Sequence, residues 1–439
     1  MDKVENFDEG SKIHYIFREK SAKNTHNLEL NQKHKGLSTV NEEVLSLKPN
    51  LPIYFIRPNS LKKSAQVFLE NFQTPRFTSK VLYSVKSNPE EVVLQHLFAS
   101  GISHFDVASF SEIKLINKLF GEKAKMYFMH PIKAREAIYE AYFVHGIRDF
   151  SLDSFDELTK ILEVTKDAKD LNLHVRLAIP NLHSAIDLTG KFGILPSESI
   201  GLLRKIKTIA KRTGICFHVG SQCMEPSQYR ASLEIVKDVL EQSKVKIDVL
   251  DIGGGFPSSY PGMIPAHLDS YFDEIFDTIN KMNLSKDCQI WCEPGRALVA
   301  ESASLLVRVE GKKQNMLYLN DGTYGGLFDA GSLNFIYPTR AIRIKENSEE
   351  LSQSFVPFGF YGPTCDSLDT MKGPFYLPEN IKEGDYIEIG QLGAYSKGLR
   401  TNFNGFGEVV QLEVSDEPLK PVYQSKDNVK ISQSKQKLS

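Results

Sequence analysis

The chain alternates short apolar runs with longer stretches in which apolar residues recur every three or four positions. Short runs rich in β-branched and aromatic residues predict strands, and the longer spacing predicts amphipathic helices. Eight strands, each followed or separated by a helix, favour an α/β fold built as a parallel (β/α)8 TIM barrel. An open, doubly wound sheet produces the same local pattern and is the alternative. The predicted strands lie near residues 81–85, 104–107, 126–129, 149–152, 174–178, 215–219, 249–252 and 289–292, and the predicted helices at 90–98, 112–119, 134–143, 155–164, 200–210, 229–242 and 268–282.

After about residue 300 the pattern changes. Alternating runs at 304–309, 316–319 and 386–389 follow one another without long helices, which predicts a C-terminal antiparallel β domain. A similar run at 52–56 is expected to join that domain from the N-terminal side. We therefore expect a polar N-terminal extension at 1–48, a strand contributed to the β domain within 49–60, the barrel at 61–300, the β domain at 301–414 and a flexible tail at 415–439.

Composition favours a small-molecule ligand. With 439 residues, of which 41% are hydrophobic, the chain can bury the core of a barrel and a second domain. The formal net charge of -2 gives no electrostatic reason to expect nucleic acid or an anionic membrane as a partner. No run approaches the roughly 18 uncharged apolar residues of a membrane helix, and the start has no apolar signal core, so we expect a cytoplasmic protein. Five cysteines without paired spacing predict reduced thiols and no metal site.

A lysine stands at the end of the first predicted barrel strand. Lys86 follows the apolar run 81–85 and precedes the amphipathic stretch 90–98. Active sites of these barrels are built at the C-terminal ends of the strands. Lys86 is therefore expected to present its amine there, where it can react with a carbonyl group.

Two later strands end in residues suited to a phosphate and to a ring nitrogen. Gly253, Gly254 and Gly255 follow the seventh predicted strand and allow backbone N–H groups to approach an anion, although glycine clusters are also ordinary turns. Glu293 and Arg296 follow the eighth strand across a Pro-Gly turn. Arg296 suits a phosphate and Glu293 a protonated nitrogen, and a surface ion pair is the alternative.

His218 and Ser221 lie at the C-terminal end of the sixth predicted strand. A single histidine is more often structural, but the neighbouring serine and glycine favour a role in ligand binding. An amine, an imidazole that can stack, a phosphate cradle and a carboxylate for a ring nitrogen together describe a site for pyridoxal 5'-phosphate.

From about residue 52 to 412 the chain resembles the alanine-racemase-like fold family of pyridoxal-phosphate enzymes. Within it, the chain is most similar to the ornithine, diaminopimelate and arginine decarboxylases. Seven segments in the same order carry the resemblance, which makes it highly specific. They are Tyr-Ser-Val-Lys-Ser-Asn at 83–88, Phe-Asp-Val-Ala-Ser at 105–109, His-Val-Gly-Ser at 218–221, Asp-Ile-Gly-Gly-Gly at 251–255, Glu-Pro-Gly-Arg at 293–296, Gly-Pro-Thr-Cys-Asp at 362–366 and Gly-Ala-Tyr at 393–395.

The resemblance implies a role for each matching residue around the cofactor. Lys86 would hold pyridoxal phosphate covalently, His218 would stack on its ring, and Glu293 would pair with the ring nitrogen. Asp106 and Arg176 would lie around Lys86. The phosphate would be bound by Ser221, Gly254, Gly255, Arg296 and Tyr395, beside Gly253.

The resemblance also implies a homodimer with shared active sites. Cys365 and Asp366 would reach the site of the partner subunit, with Cys365 delivering the proton after carbon dioxide leaves. Lys191 and Asp369 would pair across the dimer. Without the resemblance, a free cysteine such as Cys365 would be interpreted as a small buried apolar residue.

The acid at the ring nitrogen favours decarboxylation. Loss of carbon dioxide leaves negative charge on the substrate carbon, and the ring accepts that charge only if its nitrogen keeps a proton. Glu293 favours that proton, whereas racemases of this fold have an arginine at the corresponding position.

The substrate expectation rests on two positions. Asp366 matches the aspartate with which the ornithine and lysine enzymes bind a distal ammonium, where diaminopimelate enzymes have glutamate. Tyr337 replaces the arginine of the diaminopimelate enzymes' Ile-Arg-Pro segment, which removes a contact to a second carboxylate. Eukaryotic ornithine decarboxylases have Tyr-Asp where this chain has Tyr337-Pro338, so one acid is missing.

We therefore expect decarboxylation of L-ornithine to putrescine in polyamine biosynthesis. Lysine, or both amino acids, is the alternative, because one methylene is worth only about 1–3 kcal/mol to a pocket. Diaminopimelate decarboxylation, racemisation and a non-catalytic regulatory paralogue are less favoured, the last because Lys86 and Cys365 are both present.

Overall fold

The computed structural model describes residues 36–181, 184–186, 190–344 and 349–420 of the 439. Most of the expected N-terminal extension and the end of the expected tail lie outside these ranges. The described chain forms a barrel and an eight-stranded sheet. Within the described residues, no helix has the length and apolar character needed to cross a membrane.

Eight parallel strands form a closed barrel. It closes because the last strand, Gln289–Cys292, pairs with the first, Thr78–Ser84. Closure confirms the predicted (β/α)8 barrel and excludes the open doubly wound sheet. In order, the barrel strands are Thr78–Ser84, His104–Val107, Lys125–Phe128, Asp149–Leu152, Asn172–Arg176, Arg212–Cys216, Val249–Asp251 and Gln289–Cys292.

The fifth and sixth barrel strands begin and end earlier than predicted. The predicted ranges, 174–178 and 215–219, followed the apolar residues, and these continue past the strand ends into buried loops. Leu177 and Val219, for example, are both buried beyond the last strand residue. The strands themselves begin with the polar residues Asn172 and Arg212. The loops after these two strands are buried, so the apolar run in the sequence lies further toward the C-terminus than the hydrogen-bonded strand itself.

Serines placed directly before two of the helices fix their first turns. The hydroxyl oxygens of Ser109 and Ser154 accept hydrogen bonds from the backbone N–H groups of Glu112 and Glu157, at 3.2 Å each. Such caps satisfy donors that have no partner within the helix. The longer helices are Pro58–Asn71, Glu91–Ala99, Phe110–Phe120, Arg135–Tyr139 (continued by a π-helical turn, Glu140–Val144), Phe155–Thr165, Pro196–Lys207, Ser227–Ser243 and Leu268–Lys281.

The second sheet contains eight strands and is mixed rather than purely antiparallel. Most pairs are antiparallel, as predicted, but Met316–Leu319 pairs in parallel with Phe355–Tyr361. Ile53–Ile56 lies between two strands, antiparallel to the strand Ala303–Lys313 and parallel to Val410–Glu413. The remaining strands are Thr339–Ile342, Thr370–Pro378 and Tyr386–Ile389, and a separate two-stranded pair joins Ser184–Ile186 to Ser221–Cys223.

Both ends of the described chain pack on this sheet. Helix Val40–Leu47, inside the expected polar extension, buries Val40 and Val44 against a cluster that includes Ile53 and Leu412. At the other end, the backbone N–H of Ser415 donates to the carbonyl oxygen of Ser38 at 2.9 Å. The described part of the expected extension therefore packs on the sheet, and a hydrogen bond links it to the start of the expected tail.

Alternation along the barrel strands separates the interior from the helical layer. On the last strand, Trp291 packs inside the barrel with residues such as Leu82 and Val249, whereas Ile290 and Cys292 join the core beneath the helices. Side chains that follow the strand ends are then free to point into the space above the barrel. The residues singled out in the sequence lie at that end.

Candidate active site

A cavity of about 510 Å³ lies at the C-terminal ends of the barrel strands. Its volume falls within the range of roughly 300–1,000 Å³ that small-molecule sites occupy. Most of the side chains singled out in the sequence line this one cavity: Lys86, Asp106, Arg176, Lys191, His218, Ser221, Glu293, Arg296 and Tyr395.

Lys86 occupies a short 3₁₀ turn, Val85–Ser87, directly after the first barrel strand. Its Nζ donates to Oδ2 of Asp106 at 2.9 Å, and the same oxygen accepts the hydroxyl of Ser84 at 2.7 Å. Burial alone would lower the pKa of the Lys86 ammonium, but the carboxylates of Asp106 and Glu293 raise it above its usual value. The site therefore stabilises positive charge at this nitrogen.

Glu293 is a buried acid with an unused oxygen. It follows the eighth barrel strand, and its Oε1 has no hydrogen-bond partner within the described residues. Burial raises its pKa well above the usual value, and the nearby charges of Asp251 and Asp106 raise it further. An unpartnered buried carboxylate is costly, so this geometry suits a ligand that brings a cationic or protonated nitrogen to Glu293.

His218 presents a neutral imidazole. Its Nδ1 accepts the backbone N–H of Gly220 at 3.0 Å. Burial lowers the pKa of His218 well below its usual value, and the charges of Arg176 and Lys86 lower it further. An uncharged ring at the cavity wall can stack on a flat ligand without adding positive charge beside Lys86.

Arg296 is held in a cage of aromatic rings and one acid. Its Nη1 donates to the hydroxyl of Tyr260 at 3.0 Å, and its Nη2 donates to Oδ2 of Asp329 at 3.2 Å. The rings of Tyr260, Phe335 and Tyr395 lie within 6 Å of the guanidinium. Its Nε has no hydrogen-bond partner within the described residues. An oriented guanidinium with spare donor capacity suits an anionic group such as phosphate.

The glycine loop, residues 253–255, packs against Glu293 and does not line the cavity. A Cβ at Gly254 would lie 2.6 Å from the carbonyl oxygen of Glu293, so only glycine lets the loop pack this closely. The N–H of Gly253 already donates to Oδ1 of Asp251 at 2.8 Å. The backbone N–H of Gly253 is thus engaged within its own loop, and the cofactor contact of Gly253 stays a prediction.

The structure places Tyr337 away from the cavity. Tyr337 is buried, with its ring 5.5 Å from that of Tyr260, and it does not line the cavity. Its ring contacts Tyr260, the tyrosine that holds Arg296, and its predicted contact with substrate stays a prediction. The chain after residue 333 turns back into the core of the sheet, where Phe335 is buried as well.

Three other predicted residues also lie outside this cavity. Cys365 is exposed and Asp366 accepts a hydrogen bond from the hydroxyl of Tyr324. The backbone N–H of Leu368 and this hydroxyl lower the pKa of Asp366, so it carries its charge readily. Asp369, by contrast, is buried and accepts hydrogen bonds from Thr323 and Thr364 of its own chain. Its expected partner, Lys191, lines the cavity.

Two charged residues of the site were missed in the sequence. Asp329 lines the cavity from the short helix Phe328–Ser332. Lys133 is fully buried behind the cavity wall, where it donates to the carbonyl oxygens of His130 and Ser151 and pairs with Glu157. Neither lies in a local pattern typical of a site, so only the folded chain brings them there.

The site also fits pyridoxal phosphate on its own geometry. The cavity combines a lysine amine, an unpartnered buried carboxylate on Glu293 and an oriented guanidinium on Arg296. These three groups correspond to the aldehyde, the ring nitrogen and the phosphate of that cofactor.

Comparison with known proteins gives the same cofactor. A family model described as "Pyridoxal-dependent decarboxylase, pyridoxal binding domain" matches residues 59–300, more than half of the chain. A lysine/ornithine decarboxylase of Selenomonas ruminantium is 29% identical over 394 residues, covering 88% of this chain and 95% of its own. An ornithine decarboxylase of Panagrellus redivivus is 30% identical over 352 residues, with coverage of 74% and 77%.

Two further matches show how varied these relatives are. The crystal structure of the arginine decarboxylase of Paramecium bursaria Chlorella virus superposes with a TM-score of 0.74 at 27% identity, covering 85% of this chain and 99% of that one. An antizyme inhibitor 2 of Xenopus laevis is 30% identical over 347 residues, covering 74% of both chains. The family match, the closed barrel and the cavity together show that the chain belongs to the fold-type III pyridoxal-phosphate-dependent decarboxylases, the family of the ornithine decarboxylases.

Proposed function

We propose that this protein decarboxylates a basic L-amino acid with pyridoxal phosphate as cofactor, and that L-ornithine, giving putrescine and carbon dioxide, is the preferred substrate. The alternative substrate is L-lysine, alone or together with ornithine. The relatives named for ornithine, lysine/ornithine and arginine decarboxylation support the class of substrate. Asp366 and the absence of arginine at Tyr337 favour ornithine or lysine over diaminopimelate, and ornithine is our choice between the two.

The buried Glu293 carries the proposal of decarboxylation. The bound cofactor would supply a ring that accepts negative charge from the substrate carbon, provided its nitrogen is protonated. Glu293 has a buried oxygen without a partner within the described residues, and burial raises its pKa well above the usual value because it penalises the charged form, which a positive charge at that oxygen would offset. A protonated ring nitrogen would supply that charge, and Glu293 would hold the proton in place.

The other cavity residues would bind and orient the cofactor. Lys86 would hold it covalently through Nζ, with Asp106 aligning the amine by the 2.9 Å hydrogen bond. The neutral imidazole of His218 would cover one face of the ring. Arg296, Ser221 and Tyr395 line the cavity together and would bind the phosphate. Arg176 and Lys191 add positive charge to the same wall.

A homodimer with shared active sites completes the proposal. Cys365 and Asp366 do not line the cavity of their own chain, and both lie in an exposed loop. The side chain of Leu368 in that loop is 73% exposed, which suits a surface that a second subunit covers. We place Cys365 of one subunit as the proton donor in the site of the other, and Asp366 as an acid for the distal ammonium. Lys191 and Asp369 are the proposed dimer contacts. Asp369 accepts a hydrogen bond from the hydroxyl of Thr364 and would contribute by holding the loop that carries Cys365 and Asp366.

Mixed dimers test the shared site. Co-expression of Lys86→Ala and Cys365→Ala subunits is expected to restore about a quarter of wild-type activity, because half of random dimers are mixed and each has one intact site of two. Each variant alone should form almost no putrescine, and the formation of this amine is the activity to be measured, because Cys365 is expected to act after carbon dioxide has left. The matched control is co-expression of two differently tagged Lys86→Ala subunits, which restores nothing. A mixed preparation no more active than its parents would refute the shared site.

A panel of basic amino acids tests the function itself. We expect the protein loaded with pyridoxal phosphate to release carbon dioxide from L-ornithine with a higher kcat/KM than from L-lysine, and to form putrescine identified by mass. L-Arginine and diaminopimelate should react more slowly. Product from lysine alone would replace the ornithine assignment, and release from none of the four would reject decarboxylation of a basic amino acid.

A non-catalytic role is the second candidate, because an antizyme inhibitor is among the relatives. The complete cavity opposes it, since Lys86, Glu293 and Arg296 are all present and oriented. The same panel decides between the two: a regulatory paralogue would give no amine from any substrate. Chiral analysis of the recovered amino acid would detect racemisation, the remaining alternative on this fold.

A further inference from the structure

Asp329 is a buried acid in the cavity that the sequence did not single out. It lies in the short helix Phe328–Ser332 and lines the same cavity as Lys86. Only 4% of the residue is exposed. Asp106 and Glu293 are the acids assigned to the lysine amine and the ring nitrogen of the cofactor, so Asp329 is an additional carboxylate whose described contact is with Arg296.

One oxygen of Asp329 is available. Oδ2 accepts a hydrogen bond from Nη2 of Arg296 at 3.2 Å. Within the described residues, the side-chain hydrogen bond found for Asp329 is this one to Oδ2, and none is found to Oδ1. A carboxylate has capacity for about four hydrogen bonds, so Asp329 retains acceptor capacity in the cavity.

The charges around Asp329 favour a cation. Under the proposed function Arg296 binds the cofactor phosphate, which carries about two negative charges at neutral pH. Within the described residues, the ion pair of Asp329 is with Arg296, so one guanidinium faces both the phosphate and Asp329 and part of their negative charge stays unbalanced at this point of the cavity. A positively charged group of the substrate would balance it.

The neighbouring walls suit a methylene chain. Phe328, Leu333 and Leu399 line the cavity together with Asp329. The backbone N–H of Leu333 donates to the carbonyl oxygen of Asp329 at 3.1 Å, so these two residues are adjacent. Apolar walls with one acid between them match an aliphatic side chain that ends in an ammonium group.

We infer that Asp329 binds the distal ammonium of the substrate and supplies the second acid that the chain lacks at Pro338. The inference rests on the proposed function and names a specificity residue of that site. The substrate is accordingly an amino acid with an unbranched side chain and a terminal cation. Asp366 of the partner subunit would be the other acid.

Binding of amines to the cofactor-loaded protein tests this role without turnover. The probes are 1,4-diaminobutane and 1-aminobutane, which differ only in the second ammonium, titrated by calorimetry. We expect the wild-type protein to bind the diamine at least about tenfold more tightly, in line with the value of a charge-assisted hydrogen bond. Asp329→Asn should reduce this preference to about threefold or less, because the asparagine amide lacks the charge that attracts the second ammonium.

Two variants sharpen the test. Asp329→Glu keeps the charge on a longer side chain, so the diamine preference should persist and shift toward 1,3-diaminopropane. Asp269→Asn removes an exposed acid, whose side chain is 61% exposed, and should change nothing. An unchanged preference in Asp329→Asn, or a loss of cofactor affinity with the preference intact, would show that Asp329 serves only Arg296.

The outcome is separable from that of the proposed function. A wild-type protein that prefers the diamine but releases no carbon dioxide would sustain the role of Asp329 in cation binding and reject decarboxylation. Release of carbon dioxide from ornithine, with no effect of Asp329→Asn on the amine preference, would support decarboxylation and reject the role of Asp329 in cation binding. A wild-type protein without diamine preference would overturn the inference directly.

Discussion

Replacement of Lys86 by alanine is expected to lower kcat/KM by at least about a hundredfold, because a nucleophile that holds the cofactor is lost and the remaining contacts only position it. The visible absorbance of the bound cofactor should disappear on desalting, since no covalent bond retains it. Decarboxylation rates and absorbance of the desalted protein are the measurements.

Alanine also removes the ion pair with Asp106, which is 2% exposed. A buried carboxylate without its partner destabilises a protein, so loss of activity in Lys86→Ala could reflect misfolding. Lys86→Arg separates the two effects. It keeps a positive charge beside Asp106 but cannot form the bond to the cofactor, so it should fold normally and be equally inactive.

Lys118→Ala is the matched control on the surface. Its side chain is 67% exposed and pairs with Glu91. Neither residue has an assigned role in the site, so both the cofactor absorbance and the turnover should equal those of the wild type. If Lys86→Arg retained the desalting-resistant cofactor and normal turnover, the assignment of Lys86 would be wrong.

Replacement of Glu293 by glutamine is expected to lower kcat by about 10²–10³, the usual cost of removing one preorganised electrostatic group. Glutamine has the same shape but cannot hold a proton on the ring nitrogen as a carboxylate does. The cofactor should remain bound through Lys86, so its absorbance persists after desalting while steady-state turnover falls. KM should change little, since Glu293 does not contact the part of the substrate that the pocket selects.

The same variant changes a buried acidic pair. Burial raises the pKa of Asp251 to about 6, and Glu293 stands beside it with its own pKa raised. Glutamine removes one of the two acids, so thermal stability of the cofactor-free protein should not fall. Glu163→Gln, on a side chain that is 55% exposed, is the control. Full activity in Glu293→Gln would remove the main argument for decarboxylation.

The positions of the barrel strands and of the reactive lysine could be predicted because they depend on local periodicity. Strand and helix spacing differ, and residues that follow parallel strands necessarily meet at one end of the barrel. Lys86, Glu293 and Arg296 were identified in this way, and all three line one cavity. The helix Pro58–Asn71 was missed, although its buried residues Leu61, Ala65 and Phe68 recur at helical spacing.

Pairings between distant segments could not be predicted in the same way. The parallel pair of Met316–Leu319 and Phe355–Tyr361 joins strands that are far apart in the chain, and no local pattern records the direction of such a pair. Tyr337 was assigned to substrate from its place in a motif, but the fold buries it against Tyr260. Asp329 had no motif at all, and only its proximity to Arg296 in space reveals it.

The amino-acid sequence by itself thus determined the barrel strands and the positions of Lys86 and Glu293 after two of them, because alternation and short motifs act over a few residues. Tertiary structure alone decided the closure of the barrel, the mixed sheet and the place of Asp329 in the cavity. These depend on the packing of segments that are remote in the chain, and the free energy of such contacts is set by the whole fold.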